Sequence, residues 1–434
     1  MSFFSSMAAL FSPHDAHRLG LLERRWQDLP ETVRTENQAI GKTFVACGAT
    51  HGVHEACNFG CTACYLGGKA NQQKPLPFEQ VAAQLEAMRA YLGPGGNVQI
   101  TSGEVTLLPK EDLVRIIGKA KSLGLSPMVM THGGVLCHDP DYLDALVTEG
   151  GLTKISIHVD TTQRGRRGYG RVDEEVALNP VRDAMAGMLR DSRKRTGKKL
   201  KAATTMTVNR DNLNQLPDVL TWFLQNLNAF RILSLQPQAK TGRTKSDSGV
   251  GAEDVWQVLE QWFGRELNPH PLQFGHSACN RVALFLVLET GQDSLILQAV
   301  APDREEDARI LRRYLKDFGG VIFNDRPLLE ILAKFGGVVM RKPWWLFWGT
   351  NYVIRRSFRE RKHWLKVLGA LVRGRLRIRP CAIVVHAFMS EAELATEEGK
   401  ARLEACMFKL PVGDRMVSMC EMNGTEIRQS TYEV

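Results

Sequence analysis

No run of 18 or more apolar residues occurs anywhere in the 434 positions, so no segment reads as a helix able to cross a bilayer. Internal repeats and low-complexity tracts are also missing. With 44% apolar and 24% charged residues, the chain reads as globular, not disordered or collagen-like. The opening MSFFSSMAALFSPHDAHR lacks a basic lead, so it is expected to be an ordinary or surface-lying segment and not a secretory signal. Without export, the nine cysteines are expected in a reducing cytosol, where they bind metal, react or sit buried more often than they pair. At about 150 residues per domain, the length predicts two or three units, or one large barrel with extensions.

Acid is nearly absent between Arg341 and Arg379. That stretch holds twelve Lys or Arg against Glu360 alone, a net +11, so the rest of the +9 chain carries −2. It also holds Trp344, Trp345, Trp348, Trp364, Phe347, Tyr352 and Phe358. Basic side chains are drawn to anionic headgroups by about 1 kcal/mol each, and Trp and Tyr favour the interface. The uncharged PWWLFWGTNYVI is too short to span a bilayer but long enough to lie on one. Basic residues with aromatics also suit single-stranded nucleic acid, and the plainest reading is a solvated basic helix beside an aromatic core. The unbroken apolar aromatics favour lipid, and no DNA partner is expected.

Residues 1–49 read as a helical extension. From about 50 to 240, strand-like NVQITSG, PMVMTHGG, TKISIHVD, LKAATTMTV and FRILSLQPQ alternate with amphipathic helical runs. Such alternation predicts a parallel α/β sheet or barrel, with chemistry at the C-terminal strand ends. The polar stretch Ala239 to Asp254 reads as a boundary before a third segment, 255–434. That segment holds a helix with two Trp, a hairpin around Gly291 and Gln292, and the strand-like RPCAIVVHAFMS.

CNFGCTAC places Cys57, Cys61 and Cys64 at C-x3-C-x2-C spacing. Three thiolates in one short loop can hold three irons of a [4Fe–4S] cluster and leave the fourth open. Zinc or chance clustering are the competing readings, and no second close pair of cysteines stands nearby.

The loop, opening an α/β alternation, resembles the signature of the radical S-adenosylmethionine (SAM) enzymes. The resemblance covers about residues 50–240. It implies a partial (β/α)6 barrel, a [4Fe–4S] cluster chelated by SAM, and a low-potential electron donor of the flavodoxin or ferredoxin type. Ser102, Gly103 and Glu104 resemble the family's Gly-Gly-Glu motif, with Ser102 in place of the first glycine. Glu104 would accept hydrogen bonds from the SAM amino group. Thr131, His132 and Gly133 resemble its Thr-Asn-Gly strand end. Ser156, His158 and Asp160 resemble the strand that approaches the ribose. Arg171 or Arg164 would pair with the SAM carboxylate, and Thr205 and Thr207 would stand nearby. Where the family usually has an aromatic before the third cysteine, this chain has Ala63, with Tyr65 just after Cys64 as the candidate adenine contact. His51 and His54 read as loop or pocket residues. No catalytic residue is assigned.

Cys47 and Cys137 read as buried or incidental thiols. The tail, with His386, Phe388, Met389, Cys406, Arg415, Cys420 and Asn423, is similar to that of the lipid-acting group related to tetraether lipid synthase, and HSACN resembles the group's mid-chain ligand. The resemblance implies a C-terminal α+β extension holding an auxiliary cluster on Cys279, Cys406 and Cys420. Cys381 or His386 would be the fourth ligand, unless one iron is open. It also implies a lipid or other long apolar substrate; with the basic aromatic stretch, the expected location is the cytoplasm, at the inner membrane face. That group's extra N-terminal iron module is absent here. A peptide-modifying maturase and a non-catalytic iron–sulfur protein that binds nucleic acid are the alternatives.

Overall fold

Short β-branched runs and amphipathic segments take turns along the chain, and each pair folds as one strand and one helix against a common sheet. The structure is a computed structural model and describes residues 3–291, 294–359 and 361–432. Helices α1 (Phe3–Phe11) and α2 (Ala16–Asp28) precede the short strand β1 (Cys47–Ala49). Next come α3 (Phe78–Leu92), β2 (Asn97–Ile100), α4 (Lys110–Ser122), β3 (Ser126–Thr131), α5 (Gly134–His138), α6 (Pro140–Thr148) and β4 (Lys154–His158). The series continues with α7 (Asn179–Thr196), β5 (Lys201–Val208), α8 (Leu216–Gln225), β6 (Ile232–Pro237) and α9 (Ala252–Phe263). The hairpin β7 (Asn280–Glu289) and β8 (Ser294–Gln298) leads to α10 (Glu305–Asp317), α11 (Leu328–Arg341), α12 (Trp344–Arg359) and α13 (Arg361–Val372). The chain closes with β9 (Arg377–His386), α14 (Glu391–Leu394), α15 (Glu397–Glu404), β10 (Phe408–Val412), β11 (Arg415–Ser418), α16 (Met419–Gly424) and α17 (Ile427–Tyr432). Gln292, placed at the hairpin tip from sequence, lies outside the described residues.

Helix α4 shows the local logic. It buries Leu113, Ile116, Ile117 and Ala120, one apolar stripe. Glu111 and Asp112 sit in its first turn and Lys119 and Lys121 in its last, each favourable to the helix dipole.

The eleven strands form one sheet in the order β11-β10-β1-β2-β3-β4-β5-β6-β9-β7-β8. From β10 to β9 every neighbouring pair is parallel, and β11, β7 and β8 add antiparallel edges. This is the expected partial barrel, and the C-terminal extension joins it by adding a parallel strand to each side. β9 and β10 are not bonded to each other, yet Phe388 after β9 and Phe408 on β10 stand 6.5 Å apart. Side chains thus meet across the barrel's open side, where no backbone ladder closes it.

One core draws on all three segments read from the sequence, from Leu21 and Val33 through the barrel to Cys381, Ala405 and Met407. The polar stretch 239–254 serves less as a boundary than as a strap. The Arg243 N–H bonds the Cys64 carbonyl at 2.8 Å, and Thr244 Oγ1 accepts the Cys64 N–H at 2.9 Å.

Candidate active site

The C-terminal ends of β2 to β6 surround a cavity of about 240 Å³. Over it lies the loop carrying Cys57, Cys61 and Cys64, all three facing the cavity. Backbone bonds hold the loop on several sides: Gly60 N–H to Arg164 O at 2.9 Å, Thr62 N–H to Thr162 O at 2.9 Å, and Glu104 N–H to Ala56 O at 3.0 Å. Gly103 permits this packing, since a Cβ there would stand 2.3 Å from the Glu55 carbonyl.

Burial pushes the thiols up, Cys57 to about 11 and Cys61 to about 12, and their mutual charge adds to this. A buried, mutually repelling thiolate set needs a cation to hold it. Among the described residues, no three His, Cys, Asp or Glu side chains meet closely enough to share a single ion. A four-iron cluster distributes its ligands over several irons and asks for less convergence. The Phe59 N–H already points at Cys57 Sγ, 3.4 Å away, as suits a metal-bound sulfur.

Tyr65, Ser102, Gly103, Glu104, Thr131, Ser156, His158, Thr205 and Thr207 line the same cavity. Glu104 is buried and already well bonded. It accepts from Thr131 Oγ1 at 2.6 Å, Thr106 Oγ1 at 2.6 Å and the His132 N–H at 2.8 Å. The Tyr65 hydroxyl donates to the Ser102 carbonyl. Asp160 lies behind the cavity wall and bonds His158 Nε2, the Thr162 N–H at 2.8 Å and the Thr207 N–H at 2.7 Å. Burial opposes its charge, but these donors outweigh it and hold the carboxyl down at about 2. Asp160 therefore positions His158 and does not face the cavity.

Two sequence assignments are corrected. Arg171 is 81% exposed on an outer loop, 3.8 Å from Asp173, and does not reach the cavity. Its alternative, Arg164, turns its guanidinium back onto the Thr161 carbonyl and braces the loop. Cys381 is the second correction. On β9 it faces the same side as Ile383 and Val385, inside the main core, where burial pushes its thiol up to about 12. Strand alternation turns it away from the other tail cysteines.

The other three lie near enough for the charges of Cys279 and Cys420 to act on Cys406. Cys279 ends a short turn before β7, Cys406 precedes β10, and Cys420 opens α16. Burial raises Cys406 to about 12 and Cys420 to about 11; the charge of Cys279 pushes both the same way, and that of Cys420 adds at Cys406. The Met389 N–H points at Cys420 Sγ, 3.5 Å away. Cys420 also lines the cavity, so the two cysteine groups border one space. His386 pairs with Asn280 in register, beside Cys279, on the β9 face opposite Cys381. Burial lowers its ring to about 4, which keeps it neutral.

Sequence reasoning missed several neighbours. Phe59, in the cluster loop, stacks on His132 with ring centroids 3.8 Å apart. Arg166 lies over Phe59 and donates to the His132 carbonyl at 3.1 Å. Glu55, beside the loop, forms a buried ion pair with Arg428 of α17, and Tyr432 bonds His51. Glu55, just ahead of the cysteine loop, was a visible signal, but its partner lies 373 residues away.

A family model described as the Radical SAM superfamily matches residues 53–216. A probable GTP 3′,8-cyclase from Sulfurisphaera tokodaii is 24% identical over 206 residues, 47% of this chain and 61% of that protein. One from Saccharolobus solfataricus is 31% identical over 141 residues, 29% of this chain and 43% of that protein. The matches thus span less than two thirds of these relatives' length. Among solved structures, Streptococcus suis SuiB bound to S-adenosylmethionine aligns with TM-score 0.37 and 13% identity over 51% of this chain and 48% of that one. Native anSMEcpe with bound AdoMet aligns with TM-score 0.38 and 13% identity over 50% of this chain and 59% of that one. No relative named here is a tetraether lipid synthase. Residues 53–216, which carry the cysteine loop above the strand ends, are thus similar to the radical SAM superfamily, whose cofactors are a [4Fe–4S] cluster and SAM.

Proposed function

We propose that this chain is a radical SAM enzyme that takes hydrogen from an unactivated C–H of a long apolar substrate, a lipid alkyl chain, and so prepares it for C–C bond formation. Cys57, Cys61 and Cys64 would hold the SAM-binding cluster. Cys279, Cys406 and Cys420 would hold an auxiliary one, with His386 beside them as the fourth ligand in the place Cys381 does not fill. When bound, the cluster and SAM supply a carbon radical reactive enough for an alkane C–H. No side-chain base can deprotonate such a bond, which is the reason for radical chemistry.

The protein's own work is to orient and to exclude water. Glu104, set by Thr131, Thr106 and His132, would offer its fixed carboxylate to the SAM amino group. His158, held by Asp160, and Ser156 face the cavity where the ribose would lie. Phe388, Met389, Phe408 and Met419, from the two edges of the open barrel, line the other side together with Cys420. The observation that carries the substrate class is this lining. That side is rich in aromatic and thioether groups, the strand ends opposite carry Thr, Ser, Gln and His, and among the described residues the lining includes no Lys or Arg. A nucleoside triphosphate, the substrate in the relatives' name, would need cations for its phosphates.

The test is anaerobic incubation of reduced, reconstituted enzyme with SAM and either membrane lipid extract or GTP. We expect 5′-deoxyadenosine together with a mass change in a lipid. Conversion of GTP with unchanged lipids would refute the substrate class, and failure to form 5′-deoxyadenosine would refute the enzyme assignment.

A further inference from the structure

A surface helix of a globular protein normally turns its apolar stripe inward. Helix α12 does the reverse. Its inward face is made of anchored polar and aromatic groups. The Trp345 indole donates to Asp317 at 3.1 Å, Tyr352 donates to the Ala299 carbonyl at 2.7 Å, Arg355 pairs with Asp307 at 3.2 Å, and Arg356 bonds the Gln298 carbonyl. Its outward face is Leu346, Phe347, Val353 and Ile354, exposed by 66, 67, 58 and 49%. Those positions fall on one stripe of a 3.6-residue helix. The neighbouring helices repeat the pattern, with Leu328, Leu329 and Leu332 exposed on α11 and Leu365, Leu368 and Val372 on α13. Of 21 large apolar side chains exposed among the described residues, fifteen lie between 328 and 378, so the feature is local and not general surface scatter. The N-terminal α1 adjoins it. Gly337 lets the α1 backbone close in, since a Cβ there would stand 2.1 Å from the Leu10 carbonyl, and Phe11 is left 63% exposed.

Charge says what covers this face. The stretch Arg341 to Arg379 nets +11, of which Arg355 and Arg356 turn inward and Lys342 and Arg379 pair with Asp317 and Glu289. Beyond the apolar stripes, Arg373, Arg375 and Arg377 are exposed. At the inner edge, a groove of about 830 Å³ beside Trp348 is lined by Lys42, Arg309 and Lys316, by Arg312 and Arg313, which already pair with acids, and by Glu23 and Glu36. A protein partner would have to match a broad apolar face and a strong positive field together. An anionic bilayer offers both at once, acyl chains for the stripes and phosphates for the cations.

We propose that α11, α12 and α13 form an interfacial surface that seats this protein on an anionic phospholipid bilayer. None of these helices is long and apolar enough to cross it. The surface is independent of the substrate reading, because vesicles alone suffice to test it.

The experiment is flotation of the full-length, cluster-loaded protein with vesicles of phosphatidylcholine containing roughly one-third phosphatidylglycerol. Wild type should float with these vesicles. It should bind at least about tenfold more weakly to pure phosphatidylcholine, and lose most of its binding in about 1 M salt. The outward-face variant Leu346→Glu/Phe347→Glu should lose about tenfold or more. The cation variant Arg373→Glu/Arg375→Glu/Arg377→Glu should lose mainly the anionic-lipid part. All should keep wild-type circular dichroism and SAM cleavage. The proposal is overturned if wild type does not float, or if both variants float like wild type. A wild-type dimer that the outward-face variant dissolves, without vesicle binding, would assign the face to a second copy and refute it. Salt-sensitive binding of single-stranded RNA in place of vesicles would refute it equally.

Discussion

Glu55 precedes the cysteine loop and Arg428 lies in the last helix, and their ion pair ties the two ends of the site together. Both are buried, with side chains 2% and 7% exposed. Arg428 Nη1 reaches both carboxylate oxygens, at 2.9 and 2.8 Å. Its Nε donates to Asn423 at 3.0 Å, and its guanidinium lies 5.0 Å from the Tyr65 ring centroid. Glu55 also accepts the Gly52 N–H at 3.0 Å. Removing one partner leaves an uncompensated buried charge, which costs about 3–5 kcal/mol, whereas replacing both by apolar groups of similar size is often near neutral. We therefore expect Arg428→Met and Glu55→Leu each to destabilise by about 3–5 kcal/mol, and the double variant to fall within about 1–2 kcal/mol of wild type. The assay is anaerobic urea unfolding followed by Trp fluorescence, with iron retention measured on each variant. Single variants should also lose iron more readily, since the loop they brace carries Cys57 to Cys64. Costs below about 1 kcal/mol, or costs that simply add in the double variant, would refute the reasoning.

Three further outcomes are expected. Anaerobic iron analysis should give about eight irons per chain, falling to about four in Cys57→Ala/Cys61→Ala/Cys64→Ala and to about four in Cys279→Ala/Cys406→Ala/Cys420→Ala. Cys381→Ala should keep all eight and lose only stability, and a loss of iron there would restore Cys381 as a ligand. Asp160 titrates at about 2 in the folded chain and near 4 in an unfolded one, so its contribution is complete above about pH 4 and disappears as pH falls toward 2. Asp160→Asn should therefore cost about 2–3 kcal/mol at pH 7 and flatten the acid limb of the stability profile, and an unchanged limb would count against the coupling. Glu104→Gln should weaken SAM binding at least about tenfold by anaerobic calorimetry, because the amide puts a donor where the Thr131, Thr106 and His132 donors and the SAM amino group all need an acceptor.

What the sequence alone determined is the local information. The three-cysteine loop is legible because its ligands sit within eight residues, and the strand–helix order because period 2 and period 3.6 are properties of neighbours in the chain. The cavity-facing positions at the ends of β2, β3 and β4 follow from that order, since parallel barrels expose their C-terminal strand ends. The unusual run of charge and aromatics between 341 and 379 is equally plain in sequence. Only the tertiary structure decided which distant groups meet. Cys381 and His386 share a strand that carries apolar residues on both faces, so the pattern gives no sign of which face is core and which meets the other cysteines. Arg171 and Arg166 stand in one polar loop, and only its path buries Arg166 on Phe59 and leaves Arg171 in solvent. Glu55 with Arg428, and His51 with Tyr432, are separated by more than 370 residues. The outward turn of the α12 apolar stripe is of the same kind: sequence shows that a stripe exists, but only packing shows which side of it the rest of the protein occupies.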